Sequence, residues 1–288
     1  MMQYLTLFVL MSVMMLPVNP VLSAPVLPPL NSSNTGEQLS GKFIWFELAT
    51  VDIEKQKSFY GDVFGWSFQT INEKAEQYTL IKNGQRNVAG LFQVEPRNET
   101  QLGGLWIGMM SVQDPNTAVA TVKQLGGSVH TPPTELPNRG TYALLRDPEG
   151  ALFGILKSSS GDSPDREIEN GNIFWMDLFV KNISAATEFY KKLAGYEVVT
   201  NDEAGAKRTF LRSSDKFRAG IVPLPDDANR AGWLPYVKVE DVTETLKKIE
   251  AAGGIIMVSP DKSLLDGNLA IFADPLGGIM GIVKWGPP

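Results

Sequence analysis

The chain has 288 residues, 43% of them hydrophobic and 20% charged, with a formal charge of −6. Those shares are typical of a soluble globular protein, and no segment clusters the Lys and Arg that phosphate contacts need, which excludes nucleic acid as a partner. With no cysteine the chain has no disulfide, no thiolate metal ligand, no cysteine nucleophile and no cysteine-borne lipid.

An apolar run from Tyr4 to about Leu22 precedes the first charged residue, Glu37. It reads as a secretory signal over residues 1–23, with Val21 and Ser23 as the small residues ahead of cleavage before Ala24. The expectation is export, periplasmic or secreted, with no membrane attachment after cleavage. Left uncleaved, the run would anchor the N-terminus in a membrane. Residues 24–40, rich in Pro, Asn, Ser and Gly, read as a flexible leader.

A strand is predicted over 42–50, followed by a helix over 53–64 with Asp52 as N-cap and Gly65 as its stop. Three strand-like segments follow, including 67–69, 78–82 and 88–93. The pattern then restarts: a strand over 106–112, Asp114 as cap, a helix over 115–125, Gly126-Gly127, and strands flanking the turn Asp147-Pro148-Glu149-Gly150. Residues 158–170 have the composition of a linker. Beyond them everything recurs. Trp45, Glu47, Phe59, Tyr60, Gly65 and Ala89-Gly90 return 130 positions later as Trp175, Asp177, Phe189, Tyr190, Gly195 and Ala219-Gly220. Trp106, Asp114, Gly126-Gly127, Asp147-Pro148 and Gly150 return 127 positions later as Trp233, Asp241, Gly253-Gly254, Asp274-Pro275 and Gly277. Such a repeat decides the architecture.

The paired βαβββ pattern, Phe-Tyr late in the first helix, Phe-Gly-Trp or Ala-Gly-Tyr after it, Gly-Gly after the second helix and the Asp-Pro-x-Gly turn together resemble the vicinal-oxygen-chelate superfamily. That group includes glyoxalase I, bleomycin-resistance proteins and extradiol dioxygenases. The resemblance covers nearly all of residues 41–285. It implies an α+β fold of four βαβββ units in two tandem domains, 41–157 and 171–286, each with a cup-shaped mixed sheet. Four units in one chain pair internally, which is compatible with a monomer.

The resemblance also implies where a divalent metal would be held in enzymatic members: on the first strand of each unit and four residues after the Gly of each Asp-Pro-x-Gly turn. Those positions here are Trp45, Ile107, Trp175 and Leu234, and Gly154 and Gly281. None donates to a metal, so no cofactor is expected, and a metal would need shifted positions such as Glu47 and Asp177. The lone His130 makes neither a metal site nor a triad.

Strand alternation puts Trp45 with Glu47, and Trp175 with Asp177, on the face toward the cup, opposite Ile44, Phe46 and Leu48 or Phe174, Met176 and Leu178. By the same parity Met109, Ser111, Tyr236 and Lys238 share that face. The candidate ligand-binding set is therefore Trp45, Glu47, Met109, Ser111, Trp175, Asp177, Tyr236 and Lys238, for a small organic molecule. Glu47 and Asp177 are also the candidates for acid–base catalysis in a glyoxalase-like lyase or isomerase. Two other readings stay open: the carboxylates hold the sheets together, or the cups are closed and the protein is a non-catalytic interaction module. Trp106, Trp233, Phe59-Tyr60 and Phe189-Tyr190 are assigned to the core.

Overall fold

Asp52 fixes the first helix by accepting from the Lys55 amide at 3.0 Å, and Gly65 ends it at φ 70°, a left-handed conformation open to glycine at little cost. Asn182 and Gly195, at φ 73°, do the same 130 residues later. The computed structural model describes residues 26–71, 78–95, 103–203, 206–226, 228 and 230–285. The predicted signal, residues 1–23, lies outside them.

In chain order the first domain runs β1 (Phe43–Thr50), α1 (Ile53–Phe64), β2 (Ser67–Ile71), β3 (Tyr78–Asn83), β4 (Arg86–Gln93), β5 (Gly104–Ser111), α2 (Pro115–Gln124), β6 (Ser128–Leu136), β7 (Gly140–Arg146) and β8 (Leu152–Ser158). The second repeats it: β9 (Ile173–Val180), α3 (Ile183–Ala194), β10 (Glu197–Glu203), β11 (Ala206–Ser213), β12 (Lys216–Pro223), β13 (Gly232–Lys238), α4 (Val242–Ala251), β14 (Ile255–Val258), β15 (Leu269–Ala273) and β16 (Ile279–Val283). Each domain is one eight-stranded mixed sheet, ordered β2-β3-β4-β1-β5-β8-β7-β6 and β10-β11-β12-β9-β13-β16-β15-β14. In the first sheet β1 pairs parallel with β4 and antiparallel with β5, so the two βαβββ units join at their first strands.

The outer faces of both sheets and all four helices share one core. It contains Phe46, Leu48, Trp106, Met176, Leu178 and Trp233, with Phe59, Tyr60, Phe189 and Tyr190 from the helices. Rings meet across the domain boundary, Phe59 with Phe272 at 6.0 Å and Phe43 with Trp233 at 5.0 Å. Two reciprocal sets of hydrogen bonds lock that boundary. The Tyr60 hydroxyl donates to Asp274 Oδ2 at 2.8 Å, and the Tyr190 hydroxyl to Asp147 Oδ2 at 3.1 Å. Each tyrosine in turn accepts an indole N–H, from Trp106 at 2.8 Å or Trp233 at 3.0 Å. The Trp66 indole also donates to the Gly171 carbonyl at 2.8 Å, and the Tyr196 hydroxyl to that of Gly41. The aspartates of the Asp-Pro-x-Gly turns thus do more than form loops.

Two readings of the sequence need correction. Alternation breaks between Phe43 and Trp45, where the β1–β5 register shifts, and Ile44 packs with the cup residues instead of the core. Phe174 does likewise beside the shift between Tyr236 and Val237. The leader is also not loose: residues 26–40 lie on the first domain. Asn31 donates to the Gly161 carbonyl at 2.7 Å, the Thr35 amide to the Ser160 carbonyl at 3.0 Å, and Leu39 to the buried Asp162 carboxylate. Its order comes from these long-range partners, which local composition does not reveal.

Replacing Tyr60 by Phe leaves one oxygen of buried Asp274 short of a donor and the Trp106 indole without an acceptor, at a cost of about 1–3 kcal/mol. Tyr190→Phe should match it, and the double variant should be close to additive because the two sets share no partner. Urea unfolding checks this; wild-type midpoints for both variants would remove the interlock from the account.

Candidate functional site

The first cup is built from the inner faces of β1, β3, β5, β7 and β8. Trp45, Tyr78, Leu80, Ile107, Met109, Leu144 and Leu156 line it, all buried. At its floor Trp45, Glu47 and Tyr78 form a closed network. The Trp45 indole donates to Glu47 Oε1 at 2.9 Å and to the Tyr78 hydroxyl at 3.1 Å, and that hydroxyl lies 2.8 and 3.0 Å from the two carboxylate oxygens. Gly90 makes the contact possible: a Cβ there would stand 1.9 Å from the Tyr78 hydroxyl and 2.2 Å from Glu47 Oε2. Burial pushes the Glu47 carboxyl up to about 7, against the opposing pull of Arg139, Tyr78 and Trp45.

Arg139, on the turn between β6 and β7, places its guanidinium over the Trp45 ring, 4.3 Å from the centroid. Sequence reading missed it, as it missed Tyr78. Neither belongs to a motif, although Tyr78 shares the strand phase of Leu80. The leader contributes to this cup: Leu27, 2% exposed, packs in the same cluster as Trp45 and Met109.

The second cup keeps half of the pattern. The Trp175 indole donates to Asp177 Oδ1 at 2.7 Å, and Asp177 also receives bonds from the Tyr236 hydroxyl and the Gly220 amide. Burial raises its carboxyl above the usual aspartate range. Leu234, Phe174, Phe179 and Leu269 complete the apolar lining. Trp175 and Asp177 are half-buried here, and among the described residues none from the leader belongs to this cluster.

Of the eight predicted residues, the structure thus gathers Trp45, Glu47 and Met109 in one cup and Trp175, Asp177 and Tyr236 in the other. Ser111 and Lys238 belong to neither polar network. Each stands at the end of its strand, where the linker takes its polar atoms: Ser111 donates to Asp162, and Lys238 Nζ to the Ile168 carbonyl at 2.8 Å. His130 lies on the edge strand β6, away from the cup floor. A cavity of about 480 Å³ lies outside both cups, between Gln38 and Ser40 of the leader and Gly195, Glu197, Arg212 and Ser214 of the second domain.

The family model described as the Glyoxalase/Bleomycin resistance protein/Dioxygenase superfamily matches residues 42–155 and again 172–280. The chain belongs to that superfamily. Among its relatives is the "Putative glyoxylase CFP32" of Mycobacterium bovis, 26% identical over 84% of this chain and 94% of that protein. Another is the anthracycline biosynthesis protein DnrV of Streptomyces peucetius, 24% identical over 83% and 92%. By fold the superfamily member resembles the Mn(II)-bound glyoxalase of Novosphingobium aromaticivorans, with a TM-score of 0.57, 18% identity, and 86% and 83% of the two chains covered. It also resembles homoprotocatechuate 2,3-dioxygenase of Brevibacterium fuscum, with a TM-score of 0.58, 14% identity, and 92% and 84% covered.

The expectation that no cofactor belongs here is corrected by this comparison: a glyoxalase of the same fold binds Mn(II), so a divalent metal is part of what the superfamily's fold accommodates. The residues of this chain do not fit one at the positions the resemblance implies. At Gly154 a Cβ would stand 2.1 Å from Met109 Sδ, and at Gly281 2.1 Å from the Tyr236 ring, so those side chains fill the space. The Glu47 oxygens are engaged by Trp45 and Tyr78, and among the described residues no three His, Asp or Glu side chains converge.

A carboxyl raised from 4.5 to about 7 on folding favours the native state fully below pH 4.5, and that contribution is lost as pH rises through 7. Between pH 4.5 and 8 the wild type should therefore lose up to about 3 kcal/mol more stability than Glu47→Gln. Urea unfolding at the two pH values measures the difference. Equal losses would mean that Glu47 titrates as an ordinary surface carboxylate.

Proposed function

We propose that this superfamily member is an exported protein that binds a small organic molecule in its first cup. The observation carrying the reading is the make-up of that cup: a polar network of Trp45, Glu47 and Tyr78 within an apolar wall to which Leu27, from outside the repeat, contributes. Small-molecule sites have this composition, apolar with a few convergent polar groups. The buried cluster of this cup is completed by Leu27, which lies outside the βαβββ repeat. A ligand entering there stacks on Trp45 and exchanges hydrogen bonds with Glu47 and Tyr78. The names of two relatives, a glyoxylase and an anthracycline biosynthesis protein, point the same way. Export rests on the apolar run before Glu37.

A second reading, an acid–base lyase or isomerase, is favoured by the carboxyl raised to about 7. Near neutral pH both of its forms are populated, so Glu47 can take a proton from a bound molecule and return it at another atom. The Tyr78 hydroxyl, held well above its ordinary range by burial and by Glu47, remains a donor throughout.

A thermal-shift screen of small neutral aromatic compounds tests the first reading. Hits should bind Leu27→Ala about tenfold or more tightly than wild type, because burying a leucine side chain is worth about 1.5–3 kcal/mol and the ligand must displace it. Identical affinities for the two proteins would place the ligand outside the cup.

A further inference from the structure

We propose that the first cup selects a small organic anion, a carboxylate with an apolar body, whose oxygens accept from Arg139 while the body takes the place of Leu27 beside Trp45. This rests on the reading of the cup as a small-molecule site and adds the class of ligand.

Arg139 is 2% exposed, yet its Nε and Nη1 have no hydrogen-bond acceptor. Among the described residues no carboxylate forms a salt bridge with it; Glu47 acts on it only through space, its oxygens being held by Trp45 and Tyr78. Buried N–H groups are nearly always paired, and a buried guanidinium without an acceptor carries a large desolvation cost. The main chain holds the residue in place, its amide donating to the Leu136 carbonyl and its own carbonyl accepting from the Ser159 amide, both at 3.0 Å. A charged fork fixed over an indole, with Nε and Nη1 lacking an acceptor, is a receptor for planar oxyanions.

The surroundings narrow the class. While Glu47 is protonated, one arginine in this cup compensates a single negative charge and not a phosphate dianion, whose second charge would be buried without a partner. Leu27 sits in the apolar part of the same cluster, so a body of about that size fits, such as a branched alkyl group or a single aryl ring. The second domain has Asp266 at the repeat position of Arg139, which confines the anion site to the first cup.

The full chain is titrated calorimetrically with benzoate, phenylacetate and 3-phenylpropionate and with the three matching amides. Carboxylates should bind at least tenfold more tightly than their amides, and Arg139→Gln should bring the ratio near one. The Arg139 Nε–H resonance should move with the acids and stay with the amides, which decides the matter even if Arg139→Gln fails to fold. Equal binding of acids and amides overturns the anion site while leaving the small-molecule reading intact. A preference that persists in Arg139→Gln also overturns it. Failure of all six compounds to bind wild type and Leu27→Ala overturns both readings.

Discussion

Two tyrosine-to-aspartate hydrogen bonds, each crossing from the first helix of one domain to the last turn of the other, hold the architecture together. Tyr60 and Tyr190 are wholly buried, and each carries an indole donor behind it and a carboxylate ahead of it. Such a chain of polar groups costs stability unless every member is satisfied, and here every link closes. Asp274 additionally accepts from the Gln56 side chain and the Leu276 and Gly278 amides, so one carboxylate organises its own turn and the neighbouring domain together. Because the helices and outer sheet faces are consumed by this shared core, the inner faces are left to form cups on the far side of each sheet. The position of the candidate site follows from the interlock.

The parts of the molecule legible in the sequence are those the interlock repeats. Phe59-Tyr60, Trp106 and Asp147-Pro148 recur at fixed offsets because each domain must present the same donors and acceptors to the other, and element order can be read from them. The Trp-x-carboxylate pairs were legible for a similar reason, since strand alternation fixes which way they point. Ile44 and Phe174 were misplaced because a register shift breaks that alternation, and nothing in a single strand's residues announces the shift. Leu27 was hidden in a segment whose composition reads as disorder. Its order depends on Ser160, Gly161 and Asp162, more than 120 positions away. Arg139 sits in a turn where its copy is Asp266, so the repeat that revealed the scaffold concealed the residue that departs from it.

The two cups show how a duplicated scaffold differentiates without changing its backbone. Tyr78 and Arg208 occupy equivalent places 130 residues apart, as do Met109 and Tyr236 at 127. In the first cup the tyrosine beside the carboxylate therefore comes from β3, and in the second from β13; each glycine opposite, Gly90 or Gly281, leaves the room that its tyrosine needs. The hydroxyl-to-carboxylate contact is kept while its source moves to the other βαβββ unit. That exchange argues that a protonatable carboxyl beside a phenol matters in both cups, beyond anything sheet packing requires, since an apolar pair would pack at least as well.

What separates the cups is the cation. Arg139 reaches over the Trp45 ring from the β6–β7 turn and leaves its Nε and Nη1 unpaired. In the second cup Arg208, from strand β11, pulls against the burial that leaves the Asp177 carboxyl raised, as Arg139 pulls against the burial of Glu47 in the first. One cup thus holds a cation with donors to spare next to a carboxyl that is neutral over much of the acidic range. On the proposed reading the same backbone serves a ligand in the half of the molecule whose cation keeps Nε and Nη1 to spare, while the other half contributes chiefly to the shared core.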